Sequence, residues 1–266
     1  MYDPIQEDLL YMAFYGAAAP AKHAVDMKVK IVMIVAMLSS GIMGLWAQDQ
    51  VEAHLGADIV SNYIWRGQDF GNVSLQPELS VAWKGLSLSA WGSVGLSSKD
   101  EARELDLTLS YETGGLSFGI SDYWNDGDGK PYFYYKGYDT AHSFEGFVNY
   151  DFGPVSASWQ TYFAGSDYQA DGKRAYSSYF ELAAPFRLAT CDWEARFGLV
   201  PWKSDMYDVS GFSVTNLSLR ATKAIKITQT FELPLVRAGN CQSRQSTFLL
   251  CLWPHAESDI ASTLWT

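Results

Sequence analysis

The side chains best suited to chemistry are ionised groups that recur at every second position between apolar residues. Glu104, Asp106 and Glu112 lie in phase against Leu105, Leu107, Leu109 and Tyr111. Asp192, Glu194 and Arg196 alternate with Cys191, Trp193, Ala195 and Phe197. Arg66, Glu78, Lys84, Glu145, Glu181, Arg220, Lys226 and Glu232 read in the same phase of their own segments. Successive side chains of a strand point to opposite faces, so this phase gathers charge on one side and apolar bulk on the other. Charges facing a common interior can line a water-filled path with an acidic bias and a mild preference for cations. They can equally fill that interior as pairs, with Asp192, Glu194 and Arg196 bridging neighbouring strands. Ser87, Ser89, Ser93, Ser156 and Ser158 share the polar face; being small, they leave room and favour a narrow channel.

Other candidate chemistry is sparse. Residues 125–142, NDGDGKPYFYYKGYDTAH, hold Asp126 and Asp128 at calcium-loop spacing. The third acidic position and the distal Glu of an EF-hand are absent, so an ordinary Gly/Asp-rich loop and no metal are expected. Tyr132, Tyr134 and Tyr135, with Phe133 and Tyr138, could stack on a sugar at the loop mouth; an outer aromatic belt or a fold into the interior is the other reading. Lipid hydrolysis needs a Ser activated by His with an orienting Asn or Asp. His54 and His142 stand beside no persuasive nucleophile, so neither a catalytic residue nor a cofactor is expected. Cys191, Cys241 and Cys251 are odd in number, without CxxC or His-paired spacing, which favours structural roles over disulfides or zinc.

The element that positions such residues is a strand of period two. From Val51 onward the alternation yields eleven strands. After every second strand the link is tight: Lys84-Gly85, Gly114-Gly115, Gly153-Pro154, Arg187 to Ala189 and Lys223-Ala224. The intervening links are long: 67–72, 98–103, 125–142, 165–174 and 201–211. Strict alternation of short and long links is the stringing of an up-and-down transmembrane barrel, and strands of about 10 residues suit a tilted crossing. A Greek-key sandwich orders its long crossovers differently. In hydrocarbon no water pairs with a free backbone group, so the sheet must close. Closure with both termini on one side needs an even number, about 12 strands. The expected fold is therefore an all-β, up-and-down antiparallel transmembrane barrel over 48–235. Residues 236–266 lose the alternation; a damaged or frame-shifted end and an irregular closing strand at 245–253 both remain open.

Upstream, residues 27–47 read as a secretory leader. Lys28 and Lys30 form its positive start, Ile31 to Leu38 its apolar run, and Ala47 a small residue for cleavage before Gln48. Residues 1–26 fit no element ahead of a leader and read as a non-native extension, with Met27 as the true start. A net charge of −11 excludes a nucleic-acid partner, because phosphate contacts need clustered Lys and Arg. With 10 Trp, 16 Tyr and 14 Phe, the chain has rings enough for belts at two lipid–water interfaces.

The segment SNYIWRGQDFGNVSLQPELSVAWKGLSLSAWGSVGL (61–96) resembles the opening of the TorF family of porin-like proteins and related outer-membrane β-barrels. Its Ser-x-Tyr-apolar-aromatic-Arg-Gly strand end is matched by Ser61, Tyr63, Ile64, Trp65, Arg66 and Gly67. A Gln-Pro-x-Leu stretch follows at Gln76-Pro77, then a Trp- and Gly-rich strand at Trp91-Gly92. The motifs cover 51–125, and the general pattern continues to about 235. The resemblance implies a Gram-negative outer-membrane pore, exported through a cleaved leader, with membrane lipid and the barrel-assembly machinery as partners. Such families finish on an aromatic residue that this machinery reads; here the chain ends Trp265-Thr266. No substrate or catalytic residue is implied. The expected function is passive diffusion of small polar solutes. Alternatives are a non-conducting structural or adhesive barrel whose external loops bind, and a secreted soluble β-sandwich.

Overall fold

A computed structural model describes residues 51–98, 103–126, 129–226, 232–240 and 246–252. The leader at 27–47, the extension at 1–26, Asp128 and residues 253–266 lie outside the described residues, as does the side chain of Glu232. The strands are β1 (Val51–Val60), β2 (Tyr63–Trp65), β3 (Gln68–Gly71), β4 (Ser74–Trp83), β5 (Leu86–Gly95), β6 (Arg103–Thr113) and β7 (Leu116–Asn125). They continue with β8 (His142–Asp151), β9 (Ser156–Gly165), β10 (Ser178–Leu188), β11 (Cys191–Val200), β12 (Ser213–Lys226), β13 (Glu232–Asn240) and β14 (Ser246–Leu252). Among the described residues no helix is long and apolar enough to cross a membrane.

Twelve of these strands form one antiparallel meander, in which each of β4 to β13 pairs with its successor and β1 pairs with β4. The order returns on itself where Ala57–Val60 of β1 meets 249–252 of β14. That seam is four residue pairs long, shorter than the ten between β1 and β4. One sheet folded on itself, with every neighbour consecutive, is not the pair of stacked sheets of a sandwich.

Turn chemistry explains the tight links. Trp83 pairs with Leu86 across Lys84 (φ 50) and Gly85 (φ 85), and Thr113 pairs with Leu116 across Gly114 (φ 57) and Gly115 (φ 82). Two central residues at positive φ make the hairpin turn whose twist matches the strands. At Pro77, which has no N–H to give, the β4–β5 pairing skips from Leu75–Val94 to Glu78–Trp91.

Two expectations are corrected. Lys223-Ala224 is not a turn: Lys223 pairs with Leu235 and Ala224 with Pro234, so β12 runs on to Lys226. The alternation through Ile225 keeps the strand going, and no glycine follows Lys223 as Gly85 follows Lys84. Correspondingly β13 runs through residue 235 to Asn240, and a further strand, β14, follows it. The first strand also ends earlier than its alternation suggests. The chain bends at Ser61-Asn62, and Tyr63–Gly71 forms a separate small hairpin, β2–β3.

The faces are inside out. In direct register Trp83, Leu86, Tyr111, Phe118, Val148, Trp159, Phe180 and Leu199 run side by side from β4 to β11. Most are well exposed: Trp83 is 50% and Phe118 45% accessible. On the other face Ser80, Ser89, Thr108, Ser121 and Glu145 form the parallel row, with Ser121 and Glu145 fully buried. Among the described residues few hydrophobic ones are buried, and four of them, Tyr162, Tyr179, Val200 and Tyr207, form one cluster near the long-loop end.

Candidate functional site

The site lies in the interior near the long-loop end, where the β2–β3 hairpin meets inward side chains from several strands. Trp65 pairs with Gln68 across Arg66 (φ 50) and Gly67 (φ 85), a tight turn like the two above. Tyr63 packs on Trp91 of β5 at 5.5 Å, and Trp65 lies edge-on to Tyr123 of β7 at 6.0 Å. Gln68 Nε2 donates to the Met206 carbonyl at 3.1 Å.

Arg66 is the centre of the arrangement. Its Nη1 and Nη2 donate to Glu145 Oε1 and Oε2 at 2.6 and 2.8 Å, and Nη1 also reaches the Tyr207 hydroxyl at 2.5 Å. The guanidinium sits over the rings of Trp65 (4.1 Å) and Tyr179 (4.9 Å). Tyr123 donates its hydroxyl to Glu145 Oε2 at 2.9 Å. The fork of a guanidinium matches both carboxylate oxygens, and the rings and hydroxyls replace the water both ions lose. Tyr207 comes from the loop 201–212, and burial raises its pKa, so its hydroxyl stays neutral. That loop is tied down in turn: Ser204 Oγ donates to Ser177 Oγ at 2.7 Å, and Ser177 Oγ to Asp167 Oδ1 at 2.6 Å.

Two bulges seat the hairpin. Pairing between β8 and β9 slips by one between Phe144 and Glu145, and pairing between β11 and β12 slips between Gly198 and Leu199. The extra residues are Phe163 and Thr215. A bulge re-aims the side chains beside it. The first slip sets Glu145 opposite Tyr162; the second turns the Thr215 carbonyl toward Gly67, where a Cβ would come within 1.8 Å of its oxygen. Only glycine fits there.

Below the hairpin the interior has two unlike walls. On β10–β12, Arg196 Nε donates to Glu194 at 2.6 Å and Nη1 to Glu181 at 3.2 Å. Tyr179 and Asn216 also donate to Glu181, at 2.7 and 3.1 Å. Arg220 faces Glu194 in register. On β1 and β4–β6 the inward positions include Glu52, Asp58, Glu78, Glu104, Asp106 and Glu112, and His54 is the one basic group among the described inward residues. A cavity of 60 Å³ remains beside the hairpin, lined by Tyr63, Phe70, Ser93, Glu104 and Asn125 among others.

The structure distributes the sequence-derived candidates unevenly. Glu78, Glu104, Asp106, Glu194, Arg196 and Arg220 point inward from the wall. Arg66 reaches the interior from the tip of the hairpin and not from the wall, because β1 has already ended. Glu112 lies near the tight-turn end and is exposed. Asp192 lies at the rim, 3.7 Å from Arg187, with both side chains about three-quarters exposed (77%/74%). Lys84 likewise sits in a turn, over the Trp83 ring at 4.9 Å. Asp58, Tyr123, Tyr162, Tyr179 and Asn216 also face the interior without standing out by residue type, and the phase of Ser87, Ser89 and Ser93 places Trp91 there with them.

The loop tyrosines lie elsewhere. His142, Phe144, Asp122 and Trp124 share the outward face of β7 and β8, and Tyr132 and Tyr135 fold over them. Tyr135 stacks on His142 at 4.1 Å. His142 Nδ1 is 2.7 Å from Asp122 Oδ1, and Nε2 contacts the Tyr132 carbonyl. Burial pushes the Tyr132 hydroxyl up to about 12. Tyr134 instead donates to Asp139 at 3.0 Å, beside Lys130 Nζ at 2.6 Å. Asp126 bonds Arg103. Among the described residues no three His, Cys, Asp or Glu side chains come together as a metal site.

No protein-family pattern matches this chain, and no characterised protein is similar to it in sequence. Among solved structures it is similar to an outer membrane channel from Pseudomonas putida F1. The identity is 12% and the TM-score 0.33, over 76% of this chain and 92% of that one.

Proposed function

We propose that the chain forms an outer-membrane β-barrel channel for passive diffusion of small polar solutes, its bore narrowed by the β2–β3 hairpin. The observation that carries this reading is the inversion of the two faces. Soluble monomers rarely expose contiguous apolar patches beyond a few hundred Å², whereas here the apolar row runs across β4–β11 while Ser, Thr, Glu and Asp are turned inside. Acyl chains are the solvent in which such an exterior is at rest, and a sheet whose first and last strands meet keeps its backbone groups paired along that seam. Rings gather at both ends of the row, as interfacial girdles do. Tyr150–Phe152 and Phe186–Trp193 lie toward the tight turns, Phe144–Phe163 and Trp159–Trp202 toward the long loops.

A second reading, a non-conducting barrel that binds through its loops, is favoured by one observation: the hairpin and its aromatic partners occupy the interior at one level. Single-channel recording in planar bilayers separates the two. The wild type is expected to give small current steps, and a variant with 62–72 replaced by a short Gly-Ser link larger ones. Absence of steps from both, with heat-modifiable migration confirming folded barrels, would establish the filled barrel instead.

A further inference from the structure

The geometry points to a binding site for organic ammonium cations, diamines above all, on the acidic wall formed by β1 and β4–β6. The inference rests on the channel reading only for how the solute arrives. Glu78, Trp91 and Asp106 stand directly side by side on β4, β5 and β6. Asp58, opposite Gln76 on β4, lies diagonal to Glu78, and Glu104 is one inward step along from Asp106. The wall carries no Lys or Arg at its described inward positions. Arg66, at the tip of the hairpin, is held by both oxygens of Glu145.

The second observation is independent of this clustering. Asp106 Oδ1 and Asp58 Oδ1 are buried and have no hydrogen-bond partner. A carboxylate oxygen turned into the interior without a donor is poorly solvated, and a cationic N–H donor is the partner that relieves it best.

The spacing selects the kind of cation. A small dication needs several oxygens converging within about 2.0–2.6 Å of one point. Here an indole separates the carboxylates, and no three acidic side chains converge among the described residues. Strands are about 4.8 Å apart, so Glu78 and Asp106 are rooted about 10 Å from each other. A flexible diamine can place one ammonium at each carboxylate and lay its methylenes on the Trp91 face, where cation–π attraction adds to charge. Tyr63 packs against Trp91 at 5.5 Å and limits the site beside the hairpin. Toward the tight turns the wall is Ser80, Ser87, Ser89, Thr108 and Ser110, small side chains that leave an approach.

Isothermal titration of 1,4-diaminobutane into the detergent-folded full barrel tests the site, with butylamine and calcium chloride as comparison ligands. The diamine is expected to bind more tightly than either, and added salt to weaken it. Asp106→Asn and Glu78→Gln should each weaken it about tenfold or more, the size of one charge-assisted contact. Trp91→Leu should weaken it too, all three variants keeping heat-modifiable migration. Calcium binding as tightly as the diamine, or diamine binding indifferent to Asp106→Asn and Glu78→Gln, would overturn the inference. Because titration needs no current, its failure is distinct from failure of the channel reading, which bilayer recording alone decides.

Discussion

Arg66 and Glu145 are each nearly enclosed, with side chains 10% and 1% accessible, so each depends on the other for solvation. Removing one partner of a buried pair strands the other charge, at a cost of about 3–5 kcal/mol. Arg66→Ala and Glu145→Ala should each lose about that much, and the double variant much less than their sum. Urea unfolding of the barrel in lipid vesicles measures the cycle; additivity within about 0.5 kcal/mol would mean the pair is not coupled. Gly67→Ala probes the same hairpin without touching charge. Its Cβ would strike the Thr215 carbonyl at a backbone angle of +85°, so the hairpin must shift, and single-channel conductance should rise. Phase alone could place acids such as Glu104 and Asp106 on one face. It could not show that Arg66 sits on a hairpin, because Tyr63, Ile64 and Trp65 are as good a strand there as in β1. The inward rings escaped for another reason. Tyr123, Tyr162 and Tyr179 have the type of lipid-facing residues; the phase of Ser121 and Ser158 places the first two inward, whereas Ser178 beside Tyr179 lies on the other face.

At the level of the element, tight turns are legible where glycine marks them, as at Lys84-Gly85 and Gly114-Gly115. They are not where residue type says nothing, which is why β12 outran its expected end. Bulges leave no mark in the alternation, yet they seat the hairpin. The loop 129–141 is a second element with its own fastening. His142 reaches Asp122 through one ring nitrogen and the Tyr132 carbonyl through the other. His142→Ala should free this loop, and trypsin should then cut after Lys136 at least several-fold faster. An unchanged cleavage pattern would show that Tyr135 stacking alone holds the loop. Within the loop, Lys130 and Tyr134 hold Asp139 below its ordinary pKa by hydrogen bonding. A depressed value means this contact is in place above about pH 4 and is lost as pH falls through the lowered value. The Tyr134 ring resonance, followed by NMR as the sample is acidified, should report that loss.

For the molecule as a whole, one sheet carries two opposite solvents. Among the described residues its apolar face meets nothing over most of β4–β12, and its polar face meets the hairpin, paired charges and small hydroxyl side chains. The up-and-down order and the count of twelve strands were legible, since both follow from period two and alternating link lengths. The closing strand was not. β14 contains an unbroken apolar run, Phe248 to Leu252, in which alternation cannot be seen, and only its pairing with β13 and β1 shows it to be a strand. All of the functional account depends on which face touches lipid. Nitroxide labels at Leu107→Cys and at Thr108→Cys, adjacent residues of β6 on opposite faces, decide it in barrels reconstituted into bilayers. The label at 107 should be relaxed by oxygen dissolved in the acyl chains and shielded from a water-soluble nickel chelate, with the label at 108 less accessible to oxygen. Nickel access at 107 equal to that of an exposed loop residue would contradict the account.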